Sequence, residues 1–248
     1  MIPEDPREKL GELSKKFNIS GDLKMYDTSW VIEEYNSTSQ EQYVLSLIPE
    51  SGYFEYSNST RYLDVNPLDS PEFVPDDDQA RRIGEDYLKN TGLLPDDAIF
   101  NQIGHGGGES HIGNITTVSK TVVISYMRKI NGTIVNDRMS VMVGGGGDIL
   151  RVSSHWPKVE SYKEIPLISP EEAFKELQRN VSYGNVTNIS LEYYSGTRDT
   201  QLSYILPVYV FRGMGPGSCD GEQAFEYKII ATQIMNESGA IQRYDSYY

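Results

Sequence analysis

Residues 121–156 read TVVISYMRKINGTIVNDRMSVMVGGGGDILRVSSHW, a stretch dominated by three runs of β-branched and other apolar residues. Asn131-Gly132 separates the first two runs, and this dipeptide favours the tight turn of a β-hairpin. A run of four glycines, 144–147, separates the second run from the third. We therefore predict three antiparallel strands joined by two turns in this stretch.

Three other segments repeat their apolar residues at spacings of three and four, which is typical of an amphipathic helix. The clearest is SPEEAFKELQRN (169–180), where Ser169 is the predicted N-cap, Pro170 occupies the first helical position and Glu172 completes a capping box. The other two segments are 6–19 and 75–92. Strand-like segments follow each predicted helix.

The order of these elements predicts an α+β fold, in which a helix followed by an antiparallel β-sheet is repeated about three times. We place the units at residues 1–66, 67–160 and 161–248, because proline-bearing seams lie at 64–78 and 156–170. The first two units are expected to pack together as one domain.

Nine of the thirteen asparagines begin an Asn-X-Ser/Thr triplet, the acceptor pattern for N-linked glycosylation. This pattern implies exposed segments in a glycosylating, extracytoplasmic compartment. The alternative is a cytoplasmic protein whose turns are rich in asparagine, serine and threonine, because these residues favour turns. The candidate glycosylation sites are Asn18, Asn36, Asn58, Asn114, Asn131, Asn180, Asn185, Asn188 and Asn236.

The sequence carries a formal net charge of −14 and a single cysteine, Cys219, so it cannot form an intrachain disulfide. An acidic chain disfavours nucleic acid, which needs basic patches, and anionic membrane surfaces. No apolar run reaches the roughly 18 residues of a membrane-spanning helix. The opening MIPEDPREKL is not a signal peptide, so we expect that a signal or membrane anchor precedes Met1 or was removed.

The stretch GHGGGESHIGN (104–114) contains the most suggestive polar residues. Its HGGG pattern is typical of oxyanion-hole loops, but no Gly-X-Ser-X-Gly nucleophile motif accompanies it. His105, Glu109 and His111 are weak candidates for metal ligands, because imidazole and carboxylate groups suit zinc. The alternative is a flexible glycine-rich connection, and we predict neither a bound metal nor a cofactor.

Two other groups of residues carry reactive or charged side chains. Cys219 lies close to Asp220 and Glu222, whose negative charges oppose formation of a nucleophilic thiolate. The acidic run 76–78 lacks the spacing of a calcium-binding loop, so we interpret it as charge at the start of a helix. Neither group predicts catalysis.

The stretch 121–156 resembles the PepSY-like domains and the related propeptide domains of secreted metalloproteases. The resemblance rests on Tyr126, Asn131, Gly132, Val135, Gly147, Asp148, Ile149 and Val152. The segments ISPEEAFKEL (168–177) and YILPVYVFRG (204–213) are similar to the helix and one strand of such domains. The resemblance implies extracytoplasmic, often membrane-anchored units that modulate peptidases or bind partners and carry no catalytic residues.

We therefore expect a non-catalytic extracytoplasmic module, secreted or anchored at the outer face of the cell membrane, that binds a protein or peptide. Modulation of a peptidase or of an envelope sensor would fit the resemblance. Tyrosines in GYFEYS (52–57) and LEYYSG (191–196) are candidate contact residues. Two alternatives stay open: a structural cell-envelope protein, and a metal-dependent hydrolase that uses the 104–114 stretch.

Overall fold

The computed structural model describes residues 5–63, 69–70, 72–112, 115–161, 164–180, 184–198, 202, 204–216 and 222–232. The helices are α1 (Pro6–Phe17), α2 (Ser59–Leu63), α3 (Asp77–Asn90) and α4 (Pro170–Asn180). The first strands are β1 (Leu23–Met25), β2 (Trp30–Asn36), β3 (Glu41–Ile48), β4 (Tyr53–Asn58) and β5 (Ala98–Ile112). The remaining strands are β6 (Ile115–Ile130), β7 (Thr133–Val143), β8 (Ile149–His155), β9 (Asn185–Tyr194), β10 (Leu206–Pro216) and β11 (Glu222–Ile230).

Side-chain caps explain where the three longer helices begin. The Asp5 carboxylate accepts a hydrogen bond from the Arg7 amide before α1, and the Asp76 carboxylate accepts one from the Gln79 amide before α3, both at 2.8 Å. At α4 the Ser169 hydroxyl accepts from the Glu172 amide while the Glu172 carboxylate accepts from the Ser169 amide, which forms a capping box. The acidic run 76–78 therefore lies at a helix start, as its composition predicts.

The strands form one mixed eleven-stranded sheet, so the predicted fold of repeated helix-then-sheet units is wrong. The strand order is β1-β2-β3-β4-β8-β7-β9-β10-β11, and β6 joins β7 to β5. Strand β4 pairs with β8, nearly one hundred residues further along the chain, and β7 meets β9 in parallel at Val135 and Tyr193. The spacing of apolar residues indicates which side chains face the core. It does not indicate which strands pair, because pairing depends on hydrogen bonds between strand edges that are distant in the sequence.

The chain divides into two compact units. The first contains Met1–Lys129, Asp137–Val159 and Gly196–Leu202, and the second contains Ile130–Asn136, Glu160–Ser195 and Ser203–Tyr248. The three ranges expected from the sequence, 1–66, 67–160 and 161–248, stay a prediction.

In the first unit, α1 and α3 cover one face of the sheet. Leu10, Leu13 and Phe17 of α1 are buried, and the Phe17 ring stacks on Tyr56 at a centroid distance of 4.3 Å. Helix α3 lies so close to the sheet that a Cβ atom on Gly84 would come within 2.7 Å of the Val141 Cγ1 atom. Glycine at this position therefore sets the helix–sheet distance.

In the second unit, α4 packs against β10. Ala173 and Leu177 are fully buried against Tyr209 and Phe211, and burying such side chains stabilises the unit by about 1.5–3 kcal/mol for each large one. The Tyr209 hydroxyl donates a hydrogen bond of 3.0 Å to the carbonyl oxygen of Ile168, just before the helix. The polar end of this ring is therefore satisfied within the core.

Candidate binding surface

The 104–114 stretch is not a flexible connection as expected, because residues 104–112 form the outer half of strand β5. These residues pair with β6 in a continuous antiparallel register, from Gly104 opposite Val123 to Ile112 opposite Ile115. The strand is hard to recognise in the sequence, because glycines have no side chains and so cannot show the alternation of apolar and polar residues. Their backbone groups nevertheless form hydrogen bonds as well as those of other residues.

An extended strand separates the proposed metal ligands. His111 lies six positions after His105, which corresponds to about 20 Å along a strand. The His105 Nε2 atom lies 3.6 Å from Asp77 Oδ1, whereas the His111 Nε2 atom lies 3.4 Å from Glu109 Oε1. In the described part of the chain, no three His, Cys, Asp or Glu side chains cluster as a metal site would require. The arrangement therefore brings together Glu109 and His111 but not His105.

The glycine-rich half of β5 exposes a backbone edge. Within the described residues β5 pairs only with β6, so the opposite edge faces away from the sheet. Gly106, Gly107 and Gly108 are exposed, and a Cβ atom added to Gly104 would meet nothing within 4 Å. Gly107 has φ +140°, and a Cβ atom there would lie 2.2 Å from the Ser119 carbonyl oxygen, so only glycine fits. Such glycines often mark a place where another backbone approaches closely.

The base of this hairpin is attached to α3. The Arg81 guanidinium lies 3.9 Å from the centroid of the Phe100 ring, and the Asp77 carboxylate lies beside His105. Ile99 and Phe100 are 38% and 36% exposed, so apolar surface continues along the strand toward its first residue. We call the outward edge of residues 98–112 the β5 edge.

A buried ionic cluster that was not predicted from the sequence lies elsewhere in the first unit. The Arg128 Nη1 atom donates a hydrogen bond of 2.6 Å to Asp137, and the Arg128 Nε atom lies 2.9 Å from an Asp97 oxygen. The Trp156 indole donates to Asp97 at 2.9 Å, and its ring lies 4.8 Å from the guanidinium. The alternation of the strands could have revealed this cluster, since Arg128 and Asp137 occupy core-facing positions.

His155 joins the same cluster, with its Nδ1 atom 3.5 Å from Asp137 Oδ1. Burial, together with the positive charges of Arg128 and Lys9, lowers the pKa of His155 to about 4. The ring is therefore neutral at physiological pH. Asp137 is fully buried and His155 is only 8% exposed, so the pair stabilises the core and cannot reach a substrate.

A second ionic network holds the turn between β7 and β8. The buried Arg61 guanidinium contacts Asp69 and Asp148 at 2.6 Å each, and Asp69 also accepts from the Gly145 amide at 2.7 Å. An open cleft of about 520 Å³ lies beside this turn. Its walls are Glu72, Phe73, Val74, Pro75, Gln79, Arg82, Ile83, Gly146 and Gly147. The cleft is a concave surface to which α3 contributes Gln79, Arg82 and Ile83.

Five of the candidate glycosylation asparagines are exposed: Asn18, Asn36, Asn131, Asn185 and Asn188. Asn58 is only 4% exposed, contrary to expectation, because its side-chain oxygen accepts a hydrogen bond from the Arg61 amide as α2 begins. Asn185 and Asn188 lie within strand β9, whereas we expected them in a connecting segment. Asn114, Asn236 and the side chain of Asn180 lie outside the described residues, as does Cys219.

The tyrosines proposed as contact residues are mostly unavailable. Tyr53 and Tyr56 are buried, and Tyr193 and Tyr194 are half-buried. Among the residues that the structure describes, the exposed tyrosines are instead Tyr26, Tyr35 and Tyr204. The sequence of these segments does not predict that the tyrosines are buried, because strand β4 buries residues on both of its faces.

No family model and no curated protein matches the chain. A solved structure, the crystal structure of an uncharacterized protein from Eubacterium rectale ATCC 33656, is similar with a TM-score of 0.55 and 13% identity. The alignment covers 96% of this chain and 81% of that chain. At this identity the similarity shows the fold alone, and the resemblance to PepSY-like domains stays a prediction. Among the described helices, none combines the length and apolar character needed to span a bilayer.

Proposed function

We propose that this protein is a non-catalytic, extracytoplasmic interaction module that binds an extended peptide segment by adding it as a strand to the β5 edge. In this mode the backbone of the incoming segment supplies most of the affinity, while alternate side chains supply specificity. The observation that carries the proposal is a long strand whose glycine-rich half exposes its backbone on one side.

The chemistry of the β5 edge supports this role. Natural proteins usually guard an edge strand with lysine, proline or a covering element, because unguarded backbone groups attract other strands. Residues 104–108 read GHGGG and contain neither lysine nor proline. The four glycines among them have no side chain, which leaves room for a second backbone at the usual strand spacing of about 4.8 Å.

Charge favours a cationic segment as the partner. Asp77 and Glu109 are roughly half-exposed carboxylates near the two ends of the glycine run, and the chain as a whole has a net charge of −14. Opposite charge on a partner accelerates encounter and fixes its register. We therefore propose an extended basic segment, such as a linker or terminus of another envelope protein, as the ligand class.

The absence of catalysis is part of this proposal. His155 and Asp137 form the one described histidine–carboxylate pair that is held in a core, and both side chains are enclosed. The His111 and Glu109 side chains are 66% and 55% exposed on the β5–β6 hairpin, so water reaches both groups. Neither arrangement supports the alternative of a metal-dependent hydrolase.

The test uses decapeptides with alternating apolar and basic residues, selected for binding to the full chain from a displayed library. For the best peptide, each backbone amide is methylated in turn and affinity is measured by calorimetry. We expect methylation at every second position to weaken binding at least tenfold and methylation at intervening positions to change it little, because a β-strand directs alternate amides to its partner.

Two matched variants locate the site. Gly104→Lys adds a positive side chain at the β5 edge, and Gly11→Lys adds the same group on helix α1; a Cβ atom fits without contact at both positions. We expect at least tenfold weaker binding for the first variant and unchanged binding for the second. Equal affinity of both variants, or methylation effects without a two-residue period, would rule out strand addition at this edge.

A further inference from the structure

Strand β9 also presents an open edge, in the second compact unit. Its neighbour β10 pairs along its length, whereas β7 pairs with it only at Tyr193 within the described residues. Residues 185–191 therefore have no partner strand on that side in the part of the chain that the structure describes. The segment reads NVTNISL, without charge or proline.

Such a segment is an aggregation hazard. It combines β-branched residues with no charge, and Ile189 and Leu191 are 45% and 39% exposed. Uncharged, apolar edge strands template pairing with another chain unless a bulky or charged group blocks them. Ser190 and Glu192 interact with Arg212 on the neighbouring strand, so the nearest charges lie over the sheet face.

We propose that N-linked glycans on Asn185 and Asn188 cover the β9 edge and keep the protein from self-association through it. The two asparagines are exposed and lie opposite Met214 and Arg212 of β10, respectively, on the sheet face away from α4. A glycan is far wider than the spacing of about 4.8 Å at which another strand would pair. The modification therefore takes the place of the charged residues that other edges use.

The chemical step is transfer from a lipid-linked oligosaccharide phosphate. The anomeric carbon forms a C–N bond to the asparagine Nδ2 atom, the C–O bond to the phosphate breaks, and the phosphate leaves with the bonding electron pair. The amide nitrogen loses one proton. Val186 and Ile189 occupy the middle positions of the two triplets, and neither is proline.

This inference rests on the proposed extracytoplasmic location, and glycopeptide mass spectrometry of the full chain from its native host separates the two. We expect glycans at Asn185 and Asn188. Occupancy of Asn18 or Asn36 with bare Asn185 and Asn188 would overturn the inference and leave the location standing. No occupancy at any triplet would overturn both.

Light scattering after size exclusion tests the role of the glycans. We expect the variant Asn185→Gln/Asn188→Gln to self-associate at concentrations at which the wild type and the control Asn18→Gln/Asn36→Gln are monomeric. Adding Leu191→Lys to the first variant should restore the monomer, because a lysine guards the same edge. A monomeric Asn185→Gln/Asn188→Gln variant, or oligomers that Leu191→Lys does not dissolve, would contradict the role.

Discussion

Asp137 and Arg128 place opposite charges within a core of aliphatic side chains, and their pairing is what makes this burial tolerable. Removing one partner of a buried pair leaves the other charge without compensation, which costs about 3–5 kcal/mol. We expect Asp137→Asn to lower the free energy of unfolding by that amount in urea denaturation. Asp97→Asn, at a side chain that is 41% exposed, should cost about 1 kcal/mol or less. Equal effects would show that burial does not set the energy of the cluster.

Because His155 is buried, we expect the free energy of unfolding to depend on pH. The pKa of His155 falls from 6.5 in a model peptide to about 4 in the folded protein, so the unfolded chain binds the proton more tightly. Stability should therefore decrease as the pH falls from about 6.5 to about 4, by on the order of 3 kcal/mol for this group. Urea unfolding across this range should show a shallower decrease for His155→Gln. An unchanged pH profile in that variant would assign the acid sensitivity to other groups.

Two buried tyrosines, Tyr126 and Tyr209, differ in whether their hydroxyl group forms a hydrogen bond. The Tyr126 hydroxyl is buried without a hydrogen-bond partner among the described residues, and burial raises its pKa to about 12. Because an unsatisfied buried hydroxyl costs about 1–3 kcal/mol, Tyr126→Phe should leave stability unchanged or raise it. Tyr209→Phe, which loses the bond to Ile168, should lower stability by about 1 kcal/mol. A larger loss at Tyr126 than at Tyr209 would contradict this assignment.

At the scale of elements, two helical glycines should respond in opposite directions to alanine. A Cβ atom at Gly11 in α1 meets nothing within 4 Å, so Gly11→Ala should stabilise the protein by up to about 1 kcal/mol through helix propensity. At Gly84 in α3 the same atom would clash with Val141, so Gly84→Ala should destabilise it. Thermal denaturation of both variants measures this difference. Stabilisation by Gly84→Ala would mean that α3 lies further from the sheet than the structure shows.

Local sequence signals predict individual helices and turns, but they do not predict which strands pair. Ser169, Pro170 and Glu172 identify the start of α4, and Asn131-Gly132 identifies the turn between β6 and β7, because each signal acts within a few residues. The pairing of β4 with β8 depends on residues nearly one hundred positions apart, and no local pattern predicts it. Strand β5 was missed because its glycines show no alternation.

At the scale of the whole molecule, the β5 and β9 edges differ in their chemistry. The β5 edge is rich in glycine and flanked by carboxylates, whereas the β9 edge carries two glycosylation triplets. We propose that the first is left open for a partner and the second is covered by sugar. The triplets can be recognised in the sequence, because they are a local pattern. Only the strand order shows that the triplets of Asn185 and Asn188 lie on the open edge of a strand.

Amide hydrogen exchange, measured residue by residue with and without a saturating basic peptide, tests strand addition at β5 most directly. Without peptide, the outward amides of residues 104–108 should exchange quickly while their inward neighbours, which bond to β6, are slower. With peptide, the outward amides should become at least tenfold slower, because the incoming strand accepts their hydrogen bonds. Unchanged exchange along residues 104–108, or protection confined to the cleft beside Gly146, would contradict the proposed binding mode.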